Sequence, residues 1–309
     1  MSALMELKNL KNAKGTRTKK QNKVAFVFLA PWLLGLVAIT TVPLLASLVL
    51  SFTDYPLLKA PEFNGIENYL RMFSDARFLK SLQVTFTYVI ISTPLQLALA
   101  LAIAMLLNQG MKGLAFYRSV FYLPSLMGSS VAIAMLWRQI FGSNGLVPTI
   151  LSWFGIVDPA HSFIADPNTA LWSIILLHVW TFGSPMIIFL AGLRQIPDMY
   201  YEAASVDGAS KWTQFWQITI PLLSPIIFFN LVLQVIGAFQ SFTQAFVVSG
   251  GTGGPVDSTL FFSLYIYQQG FVQFRMGYAS ALAWVLVLIV GAFTALNFYL
   301  SKYWVFYED

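Results

Sequence analysis

Two clusters of residues have types and spacing suited to molecular work, and neither is suited to making or breaking bonds. The first occupies a polar, helix-prone stretch between two long apolar runs, with Glu202, Ala203, Ala204, Asp207, Gly208, Ala209, Phe215, Ile218 and Pro221 at its key positions. Ala and Glu favour a short helix, and alanine side chains let another protein's surface approach closely. Gly208 can take a positive φ and end that helix in a sharp turn. Asp207 is expected to cap the next helical segment or pair with a partner's base. Trp212, Phe215 and Trp216 are expected to dock the loop against its own bundle. The second cluster is Asn230, Gln234, Gly237, Ser241 and Gln244, at steps of 4, 3, 4 and 3. That spacing lays all five along one helix face. Phe239, Phe242 and Phe246 add flat apolar surface beside them. Uncharged amides and hydroxyls next to aromatic rings suit a sugar, whose hydroxyls need hydrogen bonds and whose ring faces stack. The same pattern also suits hydrogen bonding between helices with no ligand.

Other chemistries lack their residues. There is no Cys, hence no disulfide, thiolate metal site or thiol nucleophile. No H-E-x-x-H, G-x-S-x-G or G-x-x-x-x-G-K-[ST] occurs. The richest glycine stretch, Ser249 to Pro255, lacks the lysine of a phosphate cradle and reads as a flexible exterior turn. His178 lies in an apolar run with Trp180, Thr181 and Ser184 close by, and the other histidine, His161, falls in a loop. Without acidic partners inside the apolar runs, His178 reads as a packing or hydrogen-bonding residue, not a proton relay.

The elements that position these clusters are set by hydrophobicity. Hydrophobic residues make up 57% of the 309 and charged residues 10%, against about a quarter charged in soluble domains. Six stretches are apolar enough to cross a bilayer core, at about 24–51, 81–107, 115–140, 169–193, 218–244 and 279–301. The expected fold class is therefore an all-α membrane protein with six transmembrane helices. The first run is too long for a signal-peptide core and reads as an uncleaved span. The second is expected to open at Ser81-Leu82-Gln83, and the fifth near Pro221, where a missing N–H does no harm.

Charge then chooses the orientation. The formal charge of +5 does not indicate nucleic acid as a partner, because seven of the 18 Lys and Arg lie in a tail before the first span. With that tail inside, the inner segments also hold Lys112, Arg118, Arg194, Lys211 and Lys302. The outer segments hold Lys59, Arg71, Arg77, Lys80, Arg138 and Arg275, while the 142–168 loop holds none. The positive-inside principle favours N-in/C-in, which puts residues 194–217 in the cytoplasm. The basic tail can also contact anionic lipid.

The nine residues from Glu202 to Pro221 match the EAA loop of ABC importer permeases at every fixed position. The chain's start, Phe28-Leu29-Ala30-Pro31-Trp32 with Pro43-Leu44-Leu45 and Ser51-Phe52-Thr53-Asp54, resembles the maltose F-like or glycerol-phosphate A-like permeases of the sugar class. The resemblance implies a type I ABC importer permease fold. Its parts would be a basic tail at 1–23, a first helix and outer loop at 24–80, the permease domain at 81–301 with its coupling loop at 202–221, and a cytoplasmic end at 302–309. It implies a second permease subunit, two copies of a cytoplasmic ATPase carrying the ATP and Mg, and an extracytoplasmic sugar-binding protein, with no cofactor in this chain. Glu202 would face a basic residue of the ATPase. Phe239-Gln240-Ser241-Phe242 is similar to the segment that contacts substrate in maltose-type relatives, and the glycine stretch would lie near the docked binding protein. Spans four and five hold no Lys or Arg in their interiors. A neutral oligosaccharide, such as a plant-polysaccharide fragment, is thus preferred over glycerol-3-phosphate or a polyol. A secondary transporter would need an ion or proton site, and a membrane enzyme a catalytic cluster; the sequence displays neither.

Overall fold

The computed structural model describes residue 26, residues 28–110 and residues 113–306. The basic tail, Lys112 and residues 307–309 lie outside the described residues.

The first span, α1 (Phe28–Leu50), has none of its apolar window buried inside the protein. A helix apolar on every side needs lipid or a partner as its solvent. It is held to the bundle by Trp284, whose Nε1 donates to Ser47 Oγ at 3.2 Å. A small lobe follows, made of α2 (Glu67–Ser74) and a two-residue antiparallel pair, β1 (Thr53–Asp54) and β2 (Glu62–Phe63), with Thr53 opposite Phe63. That pair and an isolated antiparallel bridge between Pro56 and Arg275 are the β-type pairings among the described residues. Buried Asn68 fastens it, donating through Nδ2 to the carbonyls of Ser51 (3.0 Å) and Thr53 (2.9 Å).

The second span, α3 (Ala76–Leu107), is the axis of the protein. It begins before the expected Ser81 because Asp75 caps it, accepting from the backbone N–H of Arg77 and Phe78; such a cap satisfies donors that the first turn leaves unpaired. Its 32 residues span about 48 Å at 1.5 Å per residue. The Asp75 end packs Phe78, Tyr88, Phe261, Tyr265 and Leu282 into one core. The Leu107 end packs Ala104, Leu107, Phe189, Leu193 and Leu223 into another.

The next two expected spans are broken. The stretch from α4 (Leu114–Met127) into α5 (Val131–Phe141) and α6 (Leu146–Trp153) bends by 93° between residues 127 and 131. The pair α7 (Ala170–Trp180) and α8 (Gly183–Leu193) bends by 41°. Then come α9 (Asp198–Val206), the short α10 (Lys211–Gln214), a π-helical turn at Phe215–Thr219, and α11 (Ile220–Phe239) with Pro221 in its first turn. The fifth span is interrupted too: α11 stops at Phe239 and α12 resumes at Thr243–Val248. After α13 (Phe262–Tyr267), α14 (Met276–Trp304) closes the bundle. Four stretches are thus long and apolar enough to cross a membrane, or six if each bent pair counts as one span.

Candidate functional site

The three interruptions meet. Gly128 and Ser129 between α4 and α5, Thr181 between α7 and α8, and Ser241 between α11 and α12 all line one cavity of about 260 Å³. Gln96, His178, Gln234 and Gln244 complete its polar wall, and no Lys, Arg, Asp or Glu lines it. Non-helical backbone at membrane depth is tolerated only where it is buried in protein or lines a polar cavity, so the breaks and the cavity explain each other.

Side chains take up the carbonyls that the breaks release. Gln96 is 1% exposed. Its Nε2 donates to His178 O (3.1 Å), Thr181 O (3.1 Å) and Thr181 Oγ1 (3.0 Å). Ser125 Oγ donates to Thr181 O at 2.7 Å and accepts from Ser184 N at 2.9 Å. Gln244 Nε2 donates to Gly128 O at 3.1 Å, and Ser263 Oγ donates to Ser241 O. Close approach needs a glycine here: a Cβ on Gly183 would lie 2.4 Å from Phe121 O. Two polar atoms at this wall, Gln96 Oε1 and His178 Nε2, are buried without a partner.

The sequence stripe divides on this geometry. Gln234, Gly237, Ser241 and Gln244 line the cavity. Asn230 does not: it is 0% exposed and its Nδ2 donates to Ile226 O within its own helix. Phe239 does not either, being packed edge-on between Phe86 and Phe293. Gln240 is exposed and outside the cavity lining. The expected single helix face fails at residues 240–242, where the helix breaks. Phe242 and Phe246 stack at 5.3 Å and line an adjacent cavity of about 460 Å³ with Arg138 and Gly250. Sequence reasoning missed Gln96, Ser125, Ser129, Thr181 and Ser184 as one wall. Small and polar residues interrupting two apolar runs, at Gly128-Ser129-Ser130 and Thr181-Phe182-Gly183-Ser184, were the available signal. His178 packs edge-on against Tyr88 at 5.4 Å while also lining the cavity.

The cluster from Glu202 to Pro221 forms an exposed helix-turn-helix at the Leu107 end of α3. Glu202, Ala203 and Ala204 sit on α9. Asp207 closes that helix, Gly208 follows with φ +81°, and the turn is fixed by Ala209 N to Ala204 O (2.9 Å) and Gly208 N to Ser205 O (3.1 Å). This pair of bonds is a Schellman motif. Asp207 does not cap the next segment; Ser210 does, accepting from Thr213 N at 3.2 Å. Nor do the tryptophans dock on the bundle. Trp212 is 70% exposed and stacks on Phe215 at 5.9 Å, and Trp216 is also exposed. The anchor is buried Gln214, whose Nε2 donates to Ser205 Oγ (2.9 Å) and Ala209 O (3.3 Å). Tyr201 adds a hydroxyl contact to Thr219 Oγ1 at 3.0 Å. Val206, 89% exposed, and Met199 leave an apolar knob beside Ala203.

The glycine stretch is a bonded turn, not a loose one: Gly251 N donates to Phe246 O at 2.7 Å, and Gln268 Nε2 to Gly251 O at 2.8 Å. Among the described residues no group of three or more His, Cys, Asp or Glu could hold a metal ion.

Comparison with known proteins matches residues 70–303 to the family described as "Binding-protein-dependent transport system inner membrane component". The chain is 51% identical over 297 residues to "Probable ABC transporter permease protein YesP" of Bacillus subtilis, covering 96% of each chain. It is 34% identical to "Lactose transport system permease protein LacF" of Rhizobium radiobacter, covering 90% of this chain and 93% of the relative. A chain of a solved bacterial alginate ABC transporter, in complex with an alginate pentasaccharide-bound periplasmic protein, shares the fold. Its TM-score is 0.75 at 21% identity, over 93% of this chain and 96% of that one.

Proposed function

This chain belongs to the binding-protein-dependent inner membrane transport components, and on that premise we propose that it is the multi-pass permease subunit of an ATP-driven importer of a neutral oligosaccharide. The observation that carries the reading is the uncharged polar cavity where three helices break. Its amides and hydroxyls can exchange hydrogen bonds with sugar hydroxyls, and Phe242 and Phe246 offer ring faces next to it. The 260 Å³ cavity itself offers a phosphate no cation, Arg138 standing in the adjacent cavity with Phe242 and Phe246, and its lining favours a neutral sugar over glycerol-3-phosphate.

The chain is read as N-in/C-in, with the α9–α10 turn on the cytoplasmic side and the Asp75 end of α3 outside. A separate ATPase grips the turn. Glu202 offers it a charge, and Ala203, Val206 and Met199 offer a close apolar contact. The Schellman bonds and Gln214 make the turn one rigid piece with the start of α11, so an ATPase movement is passed to the helix that carries Gln234, Gly237 and, beyond its break, Ser241. Closure of two ATPases around ATP turns the cavity outward to receive sugar from the binding protein, and hydrolysis returns it inward. This chain makes no bonds in that cycle. A second permease supplies the rest of the path.

The test is reconstitution. The chain is co-expressed with a second permease, an ATPase and a binding protein, placed in liposomes, and assayed for sugar uptake. Uptake that needs both ATP and the binding protein is expected. Uptake by this chain alone, without ATP, would make it a secondary transporter instead.

A further inference from the structure

At the Asp75 end of α3, a pocket of about 340 Å³ is lined by Arg71, Arg77, Arg275, Asp75, Tyr265 and Gln269, among others. Its charges are not equally free. Asp75 accepts four hydrogen bonds, from Arg77 N and Phe78 N on one oxygen and the Tyr265 and Tyr278 hydroxyls on the other. Arg77 is committed to Asp257 through two bonds at 2.9 and 2.7 Å. Arg71 and Arg275 have no acid partner among the described residues. Arg71, in the pocket lining, lies over the Tyr278 ring at 4.9 Å. Buried Gln269 contributes an unpartnered Oε1.

Strained backbone sets this arrangement. Four described residues other than glycine have positive φ, and two of them place the arginines: Asp257 (φ +54°), the partner of Arg77, and Phe274 (φ +56°), which precedes Arg275. Phe274 O accepts from Leu57 N at 3.0 Å, Arg275 N donates to Gln269 O at 2.8 Å, and Met276 N donates to Tyr55 O at 2.9 Å. Residues held in such backbone conformations persist only where the surroundings over-determine them, and they cluster at functional sites. Exposed Phe73, Phe271, Val272 and Phe274 adjoin the pocket residues in sequence. Free arginines beside exposed aromatics are the composition of an interface hot spot.

We propose that this pocket is a docking socket for an acidic side chain of the extracytoplasmic binding protein, with Arg71 and Arg275 forming the new ion pairs and the aromatic residues the dry rim. The occupant follows from charge complementarity and from place: the pocket lies at the opposite end of α3 from the coupling turn. This rests on the importer reading above. Docking through charge draws the partner in and sets register.

The experiment uses the assembled importer in nanodiscs and reads ATPase activity against binding-protein concentration, at low and high salt. In the Arg71→Glu/Arg275→Glu double variant the half-saturating concentration is expected to rise about tenfold at low salt. Basal activity and the maximal stimulated rate should be unchanged, and the gap to wild type should narrow at high salt. A reciprocal acid-to-arginine exchange on the binding protein should restore the low-salt value. Should the double variant fail to assemble, Arg71→Gln/Arg275→Gln is read in the same way. An unchanged half-saturating concentration, or a change in maximal rate alone, overturns the socket and leaves the importer reading standing. A wild-type complex that no binding protein stimulates overturns both.

Discussion

At the Leu107 end of α3, the turn proposed to couple to the ATPase takes its shape from residues close in sequence: Ala204 to Ala209, Ser205 to Gln214, Ser210 to Thr213. At the Asp75 end, the pocket joins Asp75 to Tyr265 and Tyr278, and Arg77 to Asp257, across 180 to 203 residues. The cavity between them is likewise assembled from distant parts, with Gln96 reaching Thr181 and Gln244 reaching Gly128. The contrast teaches where damage spreads. A locally built device can fail in its task while the fold survives, whereas a device assembled from distant segments takes part of the fold with it.

The sharpest test of that contrast is Gly208→Val. At φ +81° a β-branched residue is strained, by about 1–2 kcal/mol, and the Schellman turn should open. Uptake is expected to fall more than tenfold, with ATP hydrolysis no longer tied to transport, while membrane insertion and the thermal unfolding of the bundle change little. Glu202→Ala should act in the same direction but less, since it removes one contact of the docking surface. A large loss of thermal stability in either variant would break the comparison, and wild-type uptake in both would sink the coupling assignment.

A smaller effect is expected in the cavity. Gln234→Ala with Ser241→Ala removes two polar groups from the lining; Gln96 and Ser125 keep their bonds, and Gln244 keeps its bond to Gly128 O while losing the one it accepts from Ser241 Oγ at 3.4 Å. Substrate-stimulated ATPase activity should need several-fold more substrate-loaded binding protein to reach half its maximum. An unchanged curve would mean that these groups serve packing between helices. Gln96→Leu is the complementary variant, because it removes three bonds donated across the break while His178 O keeps Thr181 N and Thr181 O keeps Ser125 Oγ. A net hydrogen bond contributes about 0.5–1.5 kcal/mol, so unfolding temperature should drop along with transport. Loss of transport at full stability would mark Gln96 as a local device after all.

The same contrast decides what could be read from the sequence. Nine fixed positions within twenty residues marked out the 202–221 segment, and its Gly208 turn was predictable because φ is a property of one residue. Its cap was not, because Asp207 and Ser210 compete for the same role and the geometry of the turn selects Ser210. Spans were legible from apolar length, but their breaks were not. Thr181-Phe182 and Gly128-Ser129-Ser130 barely dent a hydropathy window, so runs that bend by 41° and 93° read as straight. Stepping along a straight helix correctly grouped Gln234, Gly237, Ser241 and Gln244, yet it included Asn230, which turns back to its own backbone. Gln96 was one polar residue in an apolar run, and nothing in its neighbourhood announced that it binds a carbonyl 82 residues away.

The smallest predicted effect concerns the Asp75 end and separates its charge from its cap. Burial alone would raise the Asp75 carboxyl, but hydrogen bonds from Tyr265, Tyr278 and the N–H groups of Phe78 and Arg77 outweigh it and hold the group below its ordinary value of 3.8. A carboxyl depressed in the folded state stabilises the fold at pH above that ordinary value, and the contribution disappears as pH falls through the folded one. Asn caps a helix as well as Asp does, so Asp75→Asn keeps the bonds from Arg77 N and Phe78 N, removes the charge, and replaces the oxygen that accepts from Tyr265 and Tyr278 with an NH2 that can only donate to them. Charge-assisted bonds are about twice as strong as neutral ones. The variant should therefore lose about 1 kcal/mol at neutral pH and nothing in strong acid, where wild type has lost its charge too. Thermal unfolding of the two purified chains across that range checks it. Curves that stay parallel down to acid would mean that the tyrosine hydroxyls respond to shape alone, and that the small lobe is held to α3 by packing and the cap.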